Sequence, residues 1–235
     1  LSRLTRELNI DPNRVYITGH SMGGHLTWRS GMQMGDRFAA VSPMSGGYDY
    51  VETKEVYNLL NVPGYGTFGA KEPYDIDVFN RKIGAWMKER RFDWRLVEKP
   101  GGHEIFDDEI PRISAFILAR ERNLYPEQVF RRTGPKPMHD EPNVNERWNV
   151  EHTWKKDRAI PLSTAHWLRL FPLPNDTPEE NRVQSIHARR KGNIFTIASR
   201  NVRRARIYLH PKMVDFEKSI KVVAIETVVF DERVD

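Results

Sequence analysis

The residues with the clearest chemical meaning are residues 19–23, which read Gly-His-Ser-Met-Gly. A serine hydroxyl is a poor nucleophile unless the chain holds it out beside a base and a helix N-terminus. The apolar residues 14–18 come directly before this motif, and residues 24–29 are typical of the start of a helix. The sequence therefore predicts a strand, a sharp turn and a helix, the arrangement called a nucleophile elbow, with Ser21 as the candidate nucleophile.

The residues on either side of Ser21 have separate predicted roles. Gly19 and Gly23 are expected to leave room where any Cβ would clash, because strand and helix nearly touch at such a turn. Gly24 is a further small residue at the same place. The start of the helix directs the Met22 backbone N–H at an oxyanion forming beside Ser21, so Met22 is the candidate oxyanion-hole donor.

Strands and helices alternate through the first half of the chain. Apolar runs ending in small residues or glycines predict strands, and residues 1–8 have the spacing of the end of an amphipathic helix. The further strands are expected at 37–43, 61–70 and 92–98, the last near a sheet edge, and the helices at 77–90 and 110–121. This alternation predicts an α/β domain with a parallel sheet covered on both faces.

The pattern changes after residue 126. Prolines and charges without sustained periodicity predict a linker over residues 127–160. From residue 161 the period becomes alternating, without helices, and predicts a small all-β sandwich-like domain over 161–235. Its strands are expected at 166–171, 185–188, 193–197, 205–209, 221–225 and 228–230.

Three segments of residues 1–126 together resemble the α/β-hydrolase family: the elbow, Gly-Ala-Lys-Glu at 69–72 and Gly-Gly-His-Glu at 101–104. More narrowly they are similar to its esterase and depolymerase-like branch, which borders on the prolyl-oligopeptidase peptidases. The resemblance implies a triad in the chain order serine, acid, histidine, with acid and histidine on loops after the last two main strands. It makes His103 the general base and places the acid after the strand at 61–70.

Three carboxylates are candidates for that acid. Family members usually carry aspartate where this chain has Glu72, although either carboxylate can accept the histidine Nδ1–H and stabilise the imidazolium. Asp75 and Asp77 follow within a few residues and are alternatives. All three also suit surface positions near a helix start, where acids interact favourably with the dipole.

The resemblance also implies that part of the sheet is missing. In the full fold the elbow strand lies in the middle of eight strands, and only this strand and three later ones are identified here. We expect an upstream segment, another chain or a swapped element to complete the sheet, because an unpaired central edge leaves backbone groups without partners. Residues 1–126 are then not an independent domain. The second oxyanion donor usually comes from a loop before the elbow.

Composition and charge exclude several other classes. Lys and Arg total 37 against 32 acids, a net charge of +5, and there is no cysteine. The basic clusters at 189–191 and 203–206 lack an interleaved aromatic platform and are interpreted as solvated turns and edge-strand charges, so nucleic-acid binding is not expected. The apolar runs are too short to span a membrane. No signal segment is found in this chain, and the compartment stays open, secreted or periplasmic included.

The histidines other than His103 do not predict a metal site. His20 is expected to pack beside the elbow, and His25 to lie on the following helix against the sheet or a crevice wall. The five beyond residue 126 are too scattered for a ligand pattern, so neither a metal nor a cofactor is expected.

Three functions are consistent with these residues. The first is a serine hydrolase that cleaves carboxylic esters, small or polymeric, through an acyl-enzyme. The second is a peptidase of the prolyl-oligopeptidase kind that uses the same triad. The third is a binding module in which the hydrolase part is degenerate and the β region contacts a carbohydrate or a partner.

Overall fold

A four-stranded parallel sheet organises the first half of the protein. The computed structural model describes residues 7–49, 54–133, 164–174, 177–178 and 183–225. The sheet has the order β1-β2-β3-β4, and all of its neighbouring strands run parallel. Its strands are β1 (Tyr16–His20), β2 (Ala40–Met44), β3 (Gly64–Gly69) and β4 (Trp94–Lys99). The predicted parallel sheet is confirmed, with β4 at an edge as expected.

Helices cover both faces of this sheet. They are α1 (Met22–Met34), α2 (Ile76–Glu89) and α3 (Ile110–Leu118), with 3-10 turns at Gly35–Arg37, Glu55–Leu59 and Asp107–Glu109. Side chains of α1 and α2 share one buried cluster with Val41, whereas α3 packs in a second cluster with Met44. Because residues 41 and 44 of a strand point to opposite faces, the two clusters lie on opposite sides of the sheet. The α/β class is therefore confirmed.

The second half contains two further sheets. One is antiparallel with the order β10-β7-β6, and the other is mixed with the order β11-β9-β8-β5, in which β11 runs parallel to β9. The strands are β5 (Gln128–Arg132), β6 (Thr164–Ala165), β7 (Leu168–Leu170), β8 (Ser185–Lys191), β9 (Ile194–Arg200), β10 (Ala205–Ile207) and β11 (Lys221–Ile225). Leu168 and Leu170 of one sheet join Ile186 and Phe195 of the other in one core, so the arrangement is sandwich-like.

One expectation about the connection between the halves is wrong. Residues 128–132, placed at the start of the linker, form β5 and pair with β8. The strand was missed because Val129, Phe130 and Arg131 are all buried, and a strand buried on both faces shows no alternation. Residues 134–160 of that linker, the strand at 228–230 and most of the helix at 1–8 lie outside the described residues.

None of the described helices is a candidate to span a membrane. Within the ranges described above, none combines the length and apolar character needed to cross a bilayer.

Candidate active site

The backbone presents Ser21 at a sharp turn between β1 and α1. Ser21 has φ 57° and ψ −115°, a combination that a residue with a side chain seldom adopts. Its N–H donates to the Met44 carbonyl over 2.9 Å, and its own carbonyl accepts the His25 N–H over 3.0 Å in the first turn of α1. The end of β2 and the start of α1 therefore both fix the strained serine.

The glycines around this turn differ in whether a side chain would fit at their position. A Cβ at Gly19 would lie 2.6 Å from the Gly23 carbonyl carbon, and one at Gly24 would lie 2.3 Å from the Met44 oxygen. A Cβ at Gly23 would have no atom within 4 Å among the described residues. The expected clash at Gly23 is thus wrong. The close approach involves the Gly23 backbone, while the positions that exclude a side chain are Gly19 and Gly24.

The loops after β3 and β4 touch each other above the sheet. A Cβ at Gly69 would lie 2.1 Å from the Gly102 carbonyl oxygen, so only glycine permits this approach. The Lys71 N–H donates to the Gly101 carbonyl over 2.9 Å. These contacts bring the loop that carries Glu72 beside the loop that carries His103.

Ser21, His103 and Glu72 form a continuous line of hydrogen bonds. Ser21 Oγ lies 2.7 Å from His103 Nε2, and His103 Nδ1 lies 2.6 Å from Glu72 Oε2. With its proton on Nδ1, the imidazole donates to Glu72 and accepts from the Ser21 hydroxyl. The Glu72 side chain is fully buried and also accepts the Gly69 N–H over 2.9 Å. The histidine side chain remains 30% exposed, so a substrate can reach it.

The two alternative acids are placed elsewhere. Asp77 accepts a hydrogen bond from Arg81 over 2.7 Å, one turn along α2, and Arg81 also binds Glu98. Asp75 is exposed directly before α2, with φ 58°. Of the three carboxylates considered in the sequence, the structure brings Glu72 to His103.

Two more histidines surround the serine. The His20 ring lies 5.0 Å from the His103 ring between centroids, beside the elbow as expected. Burial and then His103 lower the pKa of His20, although Glu72 and a backbone hydrogen bond to Glu104 oppose that change. Burial, followed by His103, also lowers the pKa of His25. Both rings are therefore favoured in their neutral forms next to the candidate base.

His25 makes a contact that the sequence did not indicate. Its Nδ1 accepts the Gly47 N–H over 3.0 Å, and its ring packs 4.6 Å from that of Tyr48. A protonated imidazole could not accept this bond, so the lowered pKa and the contact agree. The helix residue thereby fixes the loop after β2. Only the Gly-Gly sequence at 46–47 signalled a loop there.

Met22 is the first residue of α1 and is exposed. The first N–H groups of a helix have no intrahelical acceptor, and the positive end of the dipole is at the same place. Within the described ranges, no group of three or more His, Asp or Glu side chains could hold a metal ion.

The chain is similar to several esterases. No protein-family model matches it. It is 41% identical over 46 residues to the bifunctional acetylxylan esterase/xylanase XynS20E of Neocallimastix patriciarum, a match that spans 20% of this chain and only 7% of that protein.

Solved structures that resemble the chain include a thermostable esterase and esterase PE8. The first is 25% identical, with a TM-score of 0.44, and the match covers 52% of this chain and 34% of that one. The second is 20% identical, with a TM-score of 0.43, over 50% of this chain and 55% of that one. Strands β1-β4 run parallel, helices cover both faces of their sheet, and a serine lies on a strand-to-helix elbow. These three features identify the first half of this chain as part of an α/β-hydrolase fold.

Proposed function

We propose that this protein is a serine hydrolase that cleaves carboxylic esters through an acyl-enzyme. The observation that supports this most directly is the line of short hydrogen bonds from Ser21 through His103 to Glu72. A serine beside a base that a third group orients is the arrangement that activates a hydroxyl nucleophile. The elbow adds the start of a helix at the site where negative charge would develop.

The chemistry follows from these positions. His103 Nε2 takes the hydroxyl proton as Ser21 Oγ attacks the ester carbonyl carbon, and the Met22 N–H donates to the resulting oxyanion. Collapse breaks the ester bond, and the imidazolium returns the proton to the leaving alcohol. A water then repeats the sequence on the acyl-serine and releases the acid. Glu72 stabilises the imidazolium in both halves.

The proposed substrate class is an acylated polysaccharide. The relative that shares 46 residues is named as an acetylxylan esterase fused to a xylanase. Small and polymeric esters both suit a half-buried serine beside an exposed histidine.

The proposed enzyme also needs a neighbour for β1. Within the described residues, β1 pairs with β2 on one side only. We propose that an upstream segment or another chain completes the sheet there and supplies the second oxyanion donor. A missing donor costs about 2.7–4 kcal/mol of transition-state stabilisation.

Labelling with a fluorophosphonate probe, together with hydrolysis of p-nitrophenyl acetate, tests the mechanism. The unmodified protein should react with the probe and hydrolyse the ester. Ser21→Ala should lose labelling and lower kcat by about 10³-fold or more, because the nucleophile is absent. Full activity in Ser21→Ala would refute the proposal. Faster cleavage of proline-containing peptide amides than of esters would instead indicate a peptidase.

A further inference from the structure

Three arginines of the second half converge on one aromatic ring. The guanidinium carbons of Arg204, Arg169 and Arg206 lie 4.2, 5.3 and 5.4 Å from the centre of the Phe171 ring. Arg204 and Arg206 are exposed, and Arg169 is half-buried. The sequence alone gave the basic cluster at 203–206 no aromatic partner. The arginines of this cluster are exposed at the edge strand β10, as the sequence indicated, and the structure adds an aromatic partner, Phe171, from the other side of the β7–β10 pairing.

Strand register fixes this cluster on one face. Arg169 on β7 and Arg206 on β10 are direct cross-strand partners, and the Phe171 N–H donates to the Arg204 carbonyl over 3.0 Å. Positions 204, 206 and 208 share a face because side chains alternate along a strand. Tyr208 joins them there, with its ring 5.9 Å from the Arg206 guanidinium.

The part of the chain that the structure describes supplies this cluster with no anion. Among the described residues, no carboxylate lies within ion-pair distance of Arg169, Arg204 or Arg206. Like charges placed directly across a strand pair destabilise a sheet. Arg169, and then Arg206, hold the pKa of the Tyr208 hydroxyl below its ordinary value through hydrogen bonds, as expected where positive charge is concentrated. Cation–π contact with Phe171 offsets part of this repulsion and holds the guanidiniums together.

We propose that Arg169, Arg204 and Arg206, gathered around Phe171, bind the carboxylates of an acidic polysaccharide. Guanidinium groups match carboxylates as planar, bidentate partners. Because all three lie within 5.4 Å of one ring centre, they form one concentrated positive patch, which suits a polymer that carries a carboxylate on its sugars. The exposed ring and hydroxyl of Tyr208 can contact a sugar face and its hydroxyl groups.

Features of the same cluster disfavour a nucleic acid. Single-stranded nucleic acids stack successive bases on several aromatic rings, and with Arg204 over the Phe171 ring this cluster offers them the Tyr208 ring alone. Nucleic-acid sites also engage about 6–10 phosphates, more than three arginines can neutralise. This site would hold a polymeric substrate on the same chain as the proposed active site. Binding of the polymer here does not depend on the proposed chemistry at Ser21.

Binding of the whole chain to polygalacturonate, measured by affinity electrophoresis and calorimetry, tests the proposal. We expect binding to polygalacturonate that weakens with added salt, and none to neutral xylan. The double substitution Arg204→Gln with Arg206→Gln should weaken binding about tenfold or more, because it removes charge-assisted hydrogen bonds. Lysine at both positions keeps the charge but not the planar fork, and should restore binding only partly.

Arg203→Gln is the matched control. Arg203 is an exposed neighbour with the same charge, but it is not one of the three arginines that contact Phe171. It should leave binding nearly unchanged, and melting by circular dichroism should show all variants folded. Ser21→Ala should bind as the unmodified protein does, which separates this proposal from the catalytic one. Absence of polygalacturonate binding, equal loss in Arg203→Gln, or tighter binding of a single-stranded oligonucleotide would overturn it.

Discussion

The Glu72 side chain is fully buried, and a carboxylate in that position must replace the water it has lost. Two donors do so, the Gly69 N–H and His103 Nδ1. The first comes from the end of β3, so the strand itself orients the carboxylate. The second transfers that orientation to the imidazole, which places Nε2 at the Ser21 hydroxyl.

Glu72→Gln should therefore lower kcat of ester hydrolysis by about 10²–10⁴-fold, because an amide cannot stabilise the imidazolium by charge. Steady-state kinetics on p-nitrophenyl acetate measures this. Asp77→Asn is the matched control and should stay within about twofold, since Asp77 serves a half-exposed pair with Arg81 that is worth little. If Asp77→Asn or Asp75→Asn lost as much activity as Glu72→Gln, the acid would have to be reassigned.

Sequence reasoning at this scale proposed Ser21 and His103, which lie 2.7 Å apart in the structure, but left three carboxylates open as the acid. Ser21 has a motif with a steric logic, and His103 follows a strand and two glycines. Three carboxylates lie within eight residues after β3, and no periodicity distinguishes them. The contact between Gly69 and Gly102, which brings the Glu72 loop beside the His103 loop, joins two segments distant in sequence.

At the scale of the elements, helix α1 approaches the end of β2 closely at Gly24. Gly24 faces the Met44 carbonyl, whose oxygen also accepts the Ser21 N–H. The same carbonyl group thus limits the space for the helix and holds the serine backbone. Helix packing and nucleophile geometry are consequently set by one group.

Two adjacent glycines provide a matched test. Gly24→Ala should destabilise the protein by about 1–3 kcal/mol, because its Cβ would meet a backbone oxygen that cannot move freely. Gly23→Ala has space for its Cβ and should be neutral or stabilise by up to about 1 kcal/mol through helix propensity. Urea unfolding followed by circular dichroism measures both. Equal destabilisation by the two substitutions would contradict the packing described at the elbow.

The order of strands and helices could be predicted because most of them alternate in the ordinary way. Helix α2 carries Ile83 and Met87 inward, and β4 has the half-buried and exposed residues of an edge strand. Strand β5 could not be predicted, since it is buried from both sides. Its burial depends on tertiary contacts that local sequence does not report.

Over the whole molecule, β5 connects the two halves. Asn58 donates to the Arg132 carbonyl over 2.9 Å and accepts its N–H over 2.7 Å, although β5 belongs to the second sheet. Arg131 reaches the Met32 carbonyl at the end of α1 over 2.8 Å. The Phe130 ring lies 5.2 Å from that of Tyr57. The sandwich-like second half thus contacts the first half, which contains the parallel sheet, along β5.

Asn58→Ala should lower the free energy of unfolding by about 1–3 kcal/mol, because it leaves the backbone groups of Arg132 without partners. Thermal unfolding should then become less cooperative, with the two halves beginning to separate, because one contact that joins them is lost while those of Arg131 and Phe130 remain. Asn201→Ala, which removes a bond to the Val183 carbonyl inside the second half, should lower stability without separating them. A single unchanged transition in Asn58→Ala would show that the halves are joined by other means.

The double-sided burial of β5 also bears on how such proteins can exchange parts. If two related proteins were recombined between residues 126 and 128, β5 would come from one of them. The surface around Asn58, on which β5 packs, would come from the other. In such a recombinant the hydrogen bonds between the Asn58 amide and the backbone of residue 132 would be mismatched, and the Tyr57 ring would lose its contact with Phe130. The unit that can be transplanted onto another hydrolase therefore includes β5 together with the short turn Glu55–Leu59 on which it rests.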